Sequence, residues 1–513
     1  MIGFLKKWSL RSEWFIWLVA AAALRLLGVN RKLWFDEFCS ISFAGDSDFW
    51  GRALRYNQPP LYYGLLKGWS LLGSSDSMLR IFSLLFGLLI IYFVFHWLSS
   101  FGLWAARLGT LLAVSLPSLI HYSLEIRPYP LLLACCAAIW FYAHQVTIGK
   151  SETSAKFDLK MGPKVSPKFS PKIFLATALT FAIMLHPIGV FMLPAVLAFF
   201  LCQPHSKNRL PAGFEYFLGI PALVFCGIFF VILKPHSATN WWVPDSLTLR
   251  WVLKAIRGLL GINQLKPSGV WLWPFGLIAL MSLLDILRRL FQKKISVVIS
   301  LFAAILGYLL PLVGYSLIFK PIILGRTLLP LLLPMIAILA IQIAEIKNLK
   351  WRWLTSSLLV IFAGLLAGSW VDFRGRAYRE NWDNAFYNLS QEWHSGDLLV
   401  YYGSELGYQS IDSRYFPLRT FEKIIFSDTD YDFADMKKRI ELALYGMSTG
   451  KINTSGKIQD PSCNVFVMFM ISKKAARVEW QTERRIFERM LGPSQVLSKN
   501  PWLLRFSCPN ELR

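Results

Sequence analysis

Leu79–Ser99, "LRIFSLLFGLLIIYFVFHWLS", decides the fold class. Apart from Arg80 at its mouth it is almost free of charge, and about 20 apolar residues make a helix long enough to cross a bilayer. Runs of the same kind extend outward from it, at 13–29, 103–121, 129–147, 173–186, 188–203, 213–233, 270–287, 295–319, 329–346 and 353–371. The short fifth and sixth runs are parted by His186-Pro187. Backbone exposed to lipid must satisfy its own hydrogen bonds, so the expected class is a polytopic α-helical membrane protein with about 11 spans. The bulk figures agree: 513 residues, 55% hydrophobic, 21 Trp and a mean hydropathy of +0.45. The first run is long and lacks a small-residue cleavage site, so it reads as a retained span rather than a signal peptide.

The net charge of +23 does not point to nucleic acid, because no basic stripe is interleaved with aromatics. It reads as cytoplasmic loops facing anionic headgroups. Lys6, Lys7 and Arg11, the six lysines of 148–172, Lys207 with Arg209, Arg288 to Lys294, and Lys347 to Arg352 all fall on one side of an 11-span chain. That side is the cytoplasm, which puts the N-terminus inside and the C-terminus outside. The expected location is a plasma (inner) membrane.

Residues 372–513 are charge-dense, with short apolar runs. "DLLVYYG" and "CNVFVMFMIS" read as strands, and "DNAFYNLSQEW", "DFADMKKRIELALYG" and "AARVEWQTERRIFERML" read as helices. The expected organisation is a transmembrane domain over 1–371, with a first external loop at 30–78, and a small extracytoplasmic α/β domain over 372–513. An oxidising compartment admits a Cys463–Cys508 disulfide. No zinc spacing is present among the seven cysteines.

Chemistry concentrates in the loops expected outside. In "LWFDEFCSISFAGDSDFW", 33–50, Asp36 and Glu37 stand among aromatics at the membrane face. They read either as a helix cap or as a base, since a carboxylate at low dielectric is costly to keep charged and suited to taking a proton. In "NQPPLYYGLLKGW", Pro59-Pro60 starts an interfacial segment, with Tyr62 and Tyr63 as amphipathic anchors. Arg80 fits a snorkelling cation as well as a functional one. "HYSLEIRPYPLLL" brings His121, Glu125, Arg127 and Tyr129 to the outer ends of two spans; Arg127 offers a fork for phosphate oxygens, or pairs with Glu125. "FKPIILGRTLLP" adds Lys320 and Arg326, a phosphate pocket or snorkelling charges. His186 is a structural residue or a ligand. Trp241 and Trp242 form an interface belt or a stacking surface for a sugar. "SDTDYD" at 427–432 lacks the glycine and terminal glutamate of a calcium loop and reads as a solvated turn. No metal ligand set is assigned and no cofactor is fixed, although an acidic pair can hold a divalent cation.

These stretches, in this order, resemble the GT-C fold glycosyltransferases, and more narrowly the dolichyl-phosphate-mannose–protein mannosyltransferase-like bacterial proteins, a group that includes the lipid A aminoarabinose transferases. The pieces are "LWFDEFCS", "NQPPLYYGLLKGW", "DSMLRIFSLLFG", "LIHYSLEIRPYPLL", "HPIGV", "GRTLLPLLLP" and "YRENWDNAFYNLSQEWHSGDLLVYY". The resemblance implies transfer of a sugar from a polyprenyl-phosphate donor to a hydroxyl or amine on the outer face, with inversion and without a nucleotide sugar. It implies that Asp36 is the catalytic carboxylate, with Glu37 as partner acid. It leaves the acceptor open among lipid, protein and envelope glycan. One departure is visible: the family often shows Arg-Tyr in the late external loop, and here Thr327 follows Arg326. The alternative is a polyprenyl-lipid flippase or a transporter of envelope precursors, which would carry mid-span charges and internal symmetry.

Overall fold

The computed structural model describes residues 2–51, 59–148, 170–203, 220–221, 223–224, 247–260, 272–292, 296–319, 321–374, 382–394, 397–402, 423–426, 439–440, 464–469, 484–485, 487–488, 491, 493–499 and 502–507. The chain divides into two compact units. One joins 1–31 to 47–376; the other joins 32–46 to 377–513.

The first unit is helical: α1 (Ile2–Leu26), α3 (Leu61–Ser70), α4 (Asp76–Ser99), α5 (Leu103–Ser115), α6 (Pro117–Tyr122), α7 (Tyr129–Ile148), α8 (Pro171–Leu185), α9 (Met192–Leu201), α10 (Leu249–Leu259), α11 (Leu272–Phe291), α12 (Val297–Ile318), α13 (Leu332–Ala344) and α14 (Leu349–Arg374). The helix α2 (Phe35–Gly45), between α1 and α3 in sequence, belongs to the second unit. Four of the described helices are long and apolar enough to cross a membrane: Asp76–Ser99, Tyr129–Thr147, Val297–Ile318 and Leu349–Gly368. The chain is thus a mostly helical membrane protein.

Local chemistry sets the helix ends. The Ser75 hydroxyl accepts the Met78 amide at 3.3 Å and caps α4. The α4 helix packs on α5 and α7, with the Trp97 and Trp140 rings stacked 6.3 Å apart. Further contacts link α7 to α8, α9 to α12, and α13 to both α5 and α12. Leu310, Leu317 and Ile318 on α12, and Leu354, Leu358 and Ile361 on α14, stay exposed. Water would disfavour such leucine-rich outer faces, whereas lipid does not.

One expected span is broken. The 103–121 run ends as a helix at Ser115 and restarts at Pro117, because proline removes an amide and opposes helical geometry in the residue before it. The 173–186 and 188–203 runs are parted at His186-Pro187, where the sequence places the break: α8 and α9 flank a 3₁₀ turn at Pro187–Phe191, with His186 extended before it for the same reason. The 213–233 run lies almost wholly outside the described residues.

In the second unit, β1 (Leu398–Tyr402), β2 (Lys423–Phe426), β3 (Asn464–Phe469), β4 (Ser494–Lys499) and β5 (Trp502–Ser507) form one sheet of order β2-β1-β3-β5-β4. β1 runs parallel to β2 and β3, while β5 runs antiparallel to β3 and β4. Helix α15 (Trp382–Glu392) packs on β4 and β5, and the Asn388 amide donates to Leu497 O at 2.7 Å. The strands at "LLVYY" and "NVFVMF" fall where the sequence predicts them. The other two expected helices, at 432–446 and 475–491, lie mostly outside the described residues, as do Cys463, Cys508 and the 427–432 turn.

Candidate functional site

The breaks that interrupt the spans also position the polar residues. After Pro117 restarts the helix, the chain leaves α6 at Tyr122 and crosses to Tyr129 through a tight, almost fully buried segment. Three interactions hold that segment from below. The Arg25 Nε of α1 donates to Ser123 Oγ at 2.8 Å, Ser83 Oγ of α4 donates to Glu125 O at 2.6 Å, and the Arg127 amide donates to Glu125 O at 2.8 Å. Gly87 makes room: a methyl group there would lie 2.3 Å from Ser123 Cβ.

On this segment His121 and Glu125, one helical turn apart in sequence and both buried, pair at 2.9 Å between Nε2 and Oε1. The other ring nitrogen, Nδ1, lies 2.9 Å from Arg31 Nη1. A guanidinium only donates, so Nδ1 accepts and the imidazole proton sits on Nε2, the nitrogen nearer the carboxylate. Arg31, His121 and Glu125 therefore form a cluster in which the histidine lies between a guanidinium and a carboxylate. Its first member is anchored by Arg80, which is fully buried in the first turn of α4 and donates to Val29 O (3.2 Å) and Arg31 O. The side chain at Arg80 thus fixes backbone.

A second group adjoins the first through rings. Tyr122 meets Tyr129 at 5.5 Å, and Tyr129 meets His186 at 5.4 Å. His186 lies outside both helices that flank it. Its Nδ1 accepts the Ile188 amide at 3.2 Å, leaving the proton on Nε2. Burial, and then the charges of Arg127 and Arg326, hold its pKa below the usual histidine value. The ring thus keeps one donor, the Nε2–H, in surroundings that carry the positive charge of both guanidiniums. Arg326 sits on a loop built by Thr327, whose hydroxyl accepts the Leu324 amide at 2.8 Å and lies 2.8 Å from Ile322 O. The family departure at 327 is thus the residue that shapes the loop.

Other candidates fall elsewhere. Tyr62 and Tyr63 are buried in α3; their rings meet edge-on at 5.3 Å, and Tyr62 continues to Phe82, a packing cluster. Glu37 is buried in α2, where its Oε2 accepts the Trp34 amide at 3.2 Å and caps the helix start. Asp36 is half-buried in the same first turn, where the helix dipole favours a carboxylate. Lys320, Trp241 and Trp242 lie outside the described residues. Two functional candidates escaped the sequence reading: Arg31, and Arg25, which is fully buried and, among the described residues, meets neutral oxygens, Ser123 Oγ and the Ala21, Ala113 and Val114 carbonyls. A cation inside the first apolar run was the available signal. Among the described residues no group of His, Cys, Asp and Glu has the arrangement of a metal site.

No family model matches the chain, and no curated protein matches it in sequence. Solved structures do match. ArnT from Cupriavidus metallidurans in the apo state is 11% identical with a TM-score of 0.54, covering 98% of this chain and 99% of that one. The same protein bound to undecaprenyl phosphate is 12% identical with a TM-score of 0.52, over the same shares of each chain. Across nearly its whole length, then, the chain has the GT-C glycosyltransferase fold that the sequence resemblance implied.

Proposed function

We propose that the chain transfers a sugar from a polyprenyl-phosphate donor to an acceptor on the outer face of the membrane, with inversion. The acceptor hydroxyl or amine attacks the anomeric carbon, the bond from that carbon to the phosphate oxygen breaks, and its electron pair stays on the phosphate. The acceptor proton passes to Asp36. Negative charge therefore grows on the departing phosphate, and the groups that stabilise it are Arg127 and Arg326, with the Nε2–H of His186 as a neutral donor and Lys320 as a further cation. Preorganised donors of this kind are each worth about 3 kcal/mol of barrier. Trp241 and Trp242 stack on the sugar.

The observation that supports this reading is that the Tyr129 ring, two residues after Arg127, stands 5.4 Å from the ring of His186, whose pKa is held down by burial and then by the charges of Arg127 and Arg326. The ArnT structure holding undecaprenyl phosphate on the same fold supports the choice of a lipid phosphate. The test is mass spectrometry of glycolipids and glycoproteins from a deletion strain complemented with wild type or Asp36→Asn. Loss of one glycan in the deletion strain, restored by wild type and not by a normally expressed Asp36→Asn chain, is expected. Restoration by the variant removes Asp36 as the base.

A further inference from the structure

Helix α10, "LRWVLKAIRGL", is unlike the other helices of the bundle. Its Arg250, Lys254 and Arg257 are all exposed, and it holds no acidic residue. Leu249, Leu253 and Ile256 are exposed too, at 76%, 49% and 41%. At 3.6 residues per turn the three apolar side chains fall on one stripe, and the three cations on the next sector round the helix. A third sector, with Ala255 and Leu259, is buried against the protein. The Trp251 ring, an interfacial residue type, carries the Lys254 ammonium 4.5 Å from its centroid.

The same helix abuts the candidate site. A methyl group at Gly325 would lie 2.8–3.0 Å from the backbone of Gly258 and Leu259, so α10 touches the chain one residue before Arg326. The C-terminal end of α10 is therefore at the site's end of the bundle.

We propose that α10 lies in the headgroup layer of the bilayer and binds anionic phospholipid there. The apolar stripe enters the acyl boundary, and the basic sector meets phosphate oxygens. Three cations without an acidic neighbour in the helix select a negatively charged surface over a zwitterionic one. A water-facing protein partner would not need the leucine stripe and the cations to stand side by side at the level of a membrane-spanning bundle. This inference does not depend on the sugar-transfer reading.

The test is hydrogen exchange of the full chain in nanodiscs of phosphatidylcholine with and without phosphatidylglycerol. Amides of 249–259 are expected to exchange several-fold more slowly when phosphatidylglycerol is present. The combined variant Arg250→Gln, Lys254→Gln, Arg257→Gln should lose that difference while α4 keeps its wild-type protection, which verifies folding. Equal exchange of the wild-type helix in both bilayers overturns the proposal. A lipid-dependent difference that persists in the variant overturns it as well, because the cations are then not the readers.

Discussion

The hydroxyl of Tyr308, buried in the middle of α12, donates to the carbonyl of Thr327 at 2.7 Å. One side chain thus ties a long apolar helix to the residue beside Arg326. Tyr308→Phe keeps the ring and removes the bond, which costs about 1 kcal/mol of stability. On the proposed function it also raises the KM for the lipid-linked sugar more than it lowers kcat, because the loop is set before the donor arrives. A thermal-shift assay with steady-state kinetics checks both, and an unchanged KM disconnects the loop from donor binding.

Arg127→Ala should cut kcat/KM by about 10²–10³, the effect of deleting one preorganised charge-stabilising donor. Arg127→Lys should recover only part of it, since an ammonium lacks the planar fork. Wild-type donor affinity in the alanine variant would place the phosphate elsewhere.

Glu125→Ala removes the carboxylate beside His121 and leaves the buried Nε2–H facing an emptied position. A buried donor left without a partner costs about 1–3 kcal/mol. Glu125→Gln keeps an acceptor for the His121 Nε2–H and is expected to be much milder. Chemical denaturation of the two variants separates these outcomes; equal losses would mean that shape alone matters there.

In the second unit the buried Asp397 accepts from the His394 amide (2.7 Å) and from the amide of Asn464 (2.7 Å). Burial raises its pKa above the ordinary aspartate value, against the pull of those bonds. A carboxylate with a raised folded pKa binds its proton more tightly folded than unfolded. Its contribution to stability therefore grows as pH falls through the folded pKa toward the unfolded one. The stability gap between wild type and Asp397→Ala should widen from neutral to acid pH. A gap that narrows on acidification reverses the assignment.

The long apolar helices and the two central strands were legible in the sequence, because hydrophobic length and β-branched or aromatic runs are local properties. α10 was not: 11 residues with three cations register neither as a span nor as a core helix. β2, β4 and β5 were missed as well, being short and mixed in polarity. In the site, His121, Glu125, Arg127, Tyr129, His186 and Arg326 were named from their loops. The sequence did not reveal that Arg80 serves backbone carbonyls or that Arg31 meets a histidine 90 residues later. Those are facts of tertiary contact, which no local pattern encodes.

The second unit is stitched from two distant pieces of chain, 32–46 and 377–513. The helix bearing Asp36 thus folds with the C-terminal sheet domain, although some 330 residues of membrane bundle separate them in sequence. A truncation after residue 376 would strand that helix without its companions, and a chimera that exchanges only the tail would mismatch them. Swaps between relatives should succeed when both pieces travel together.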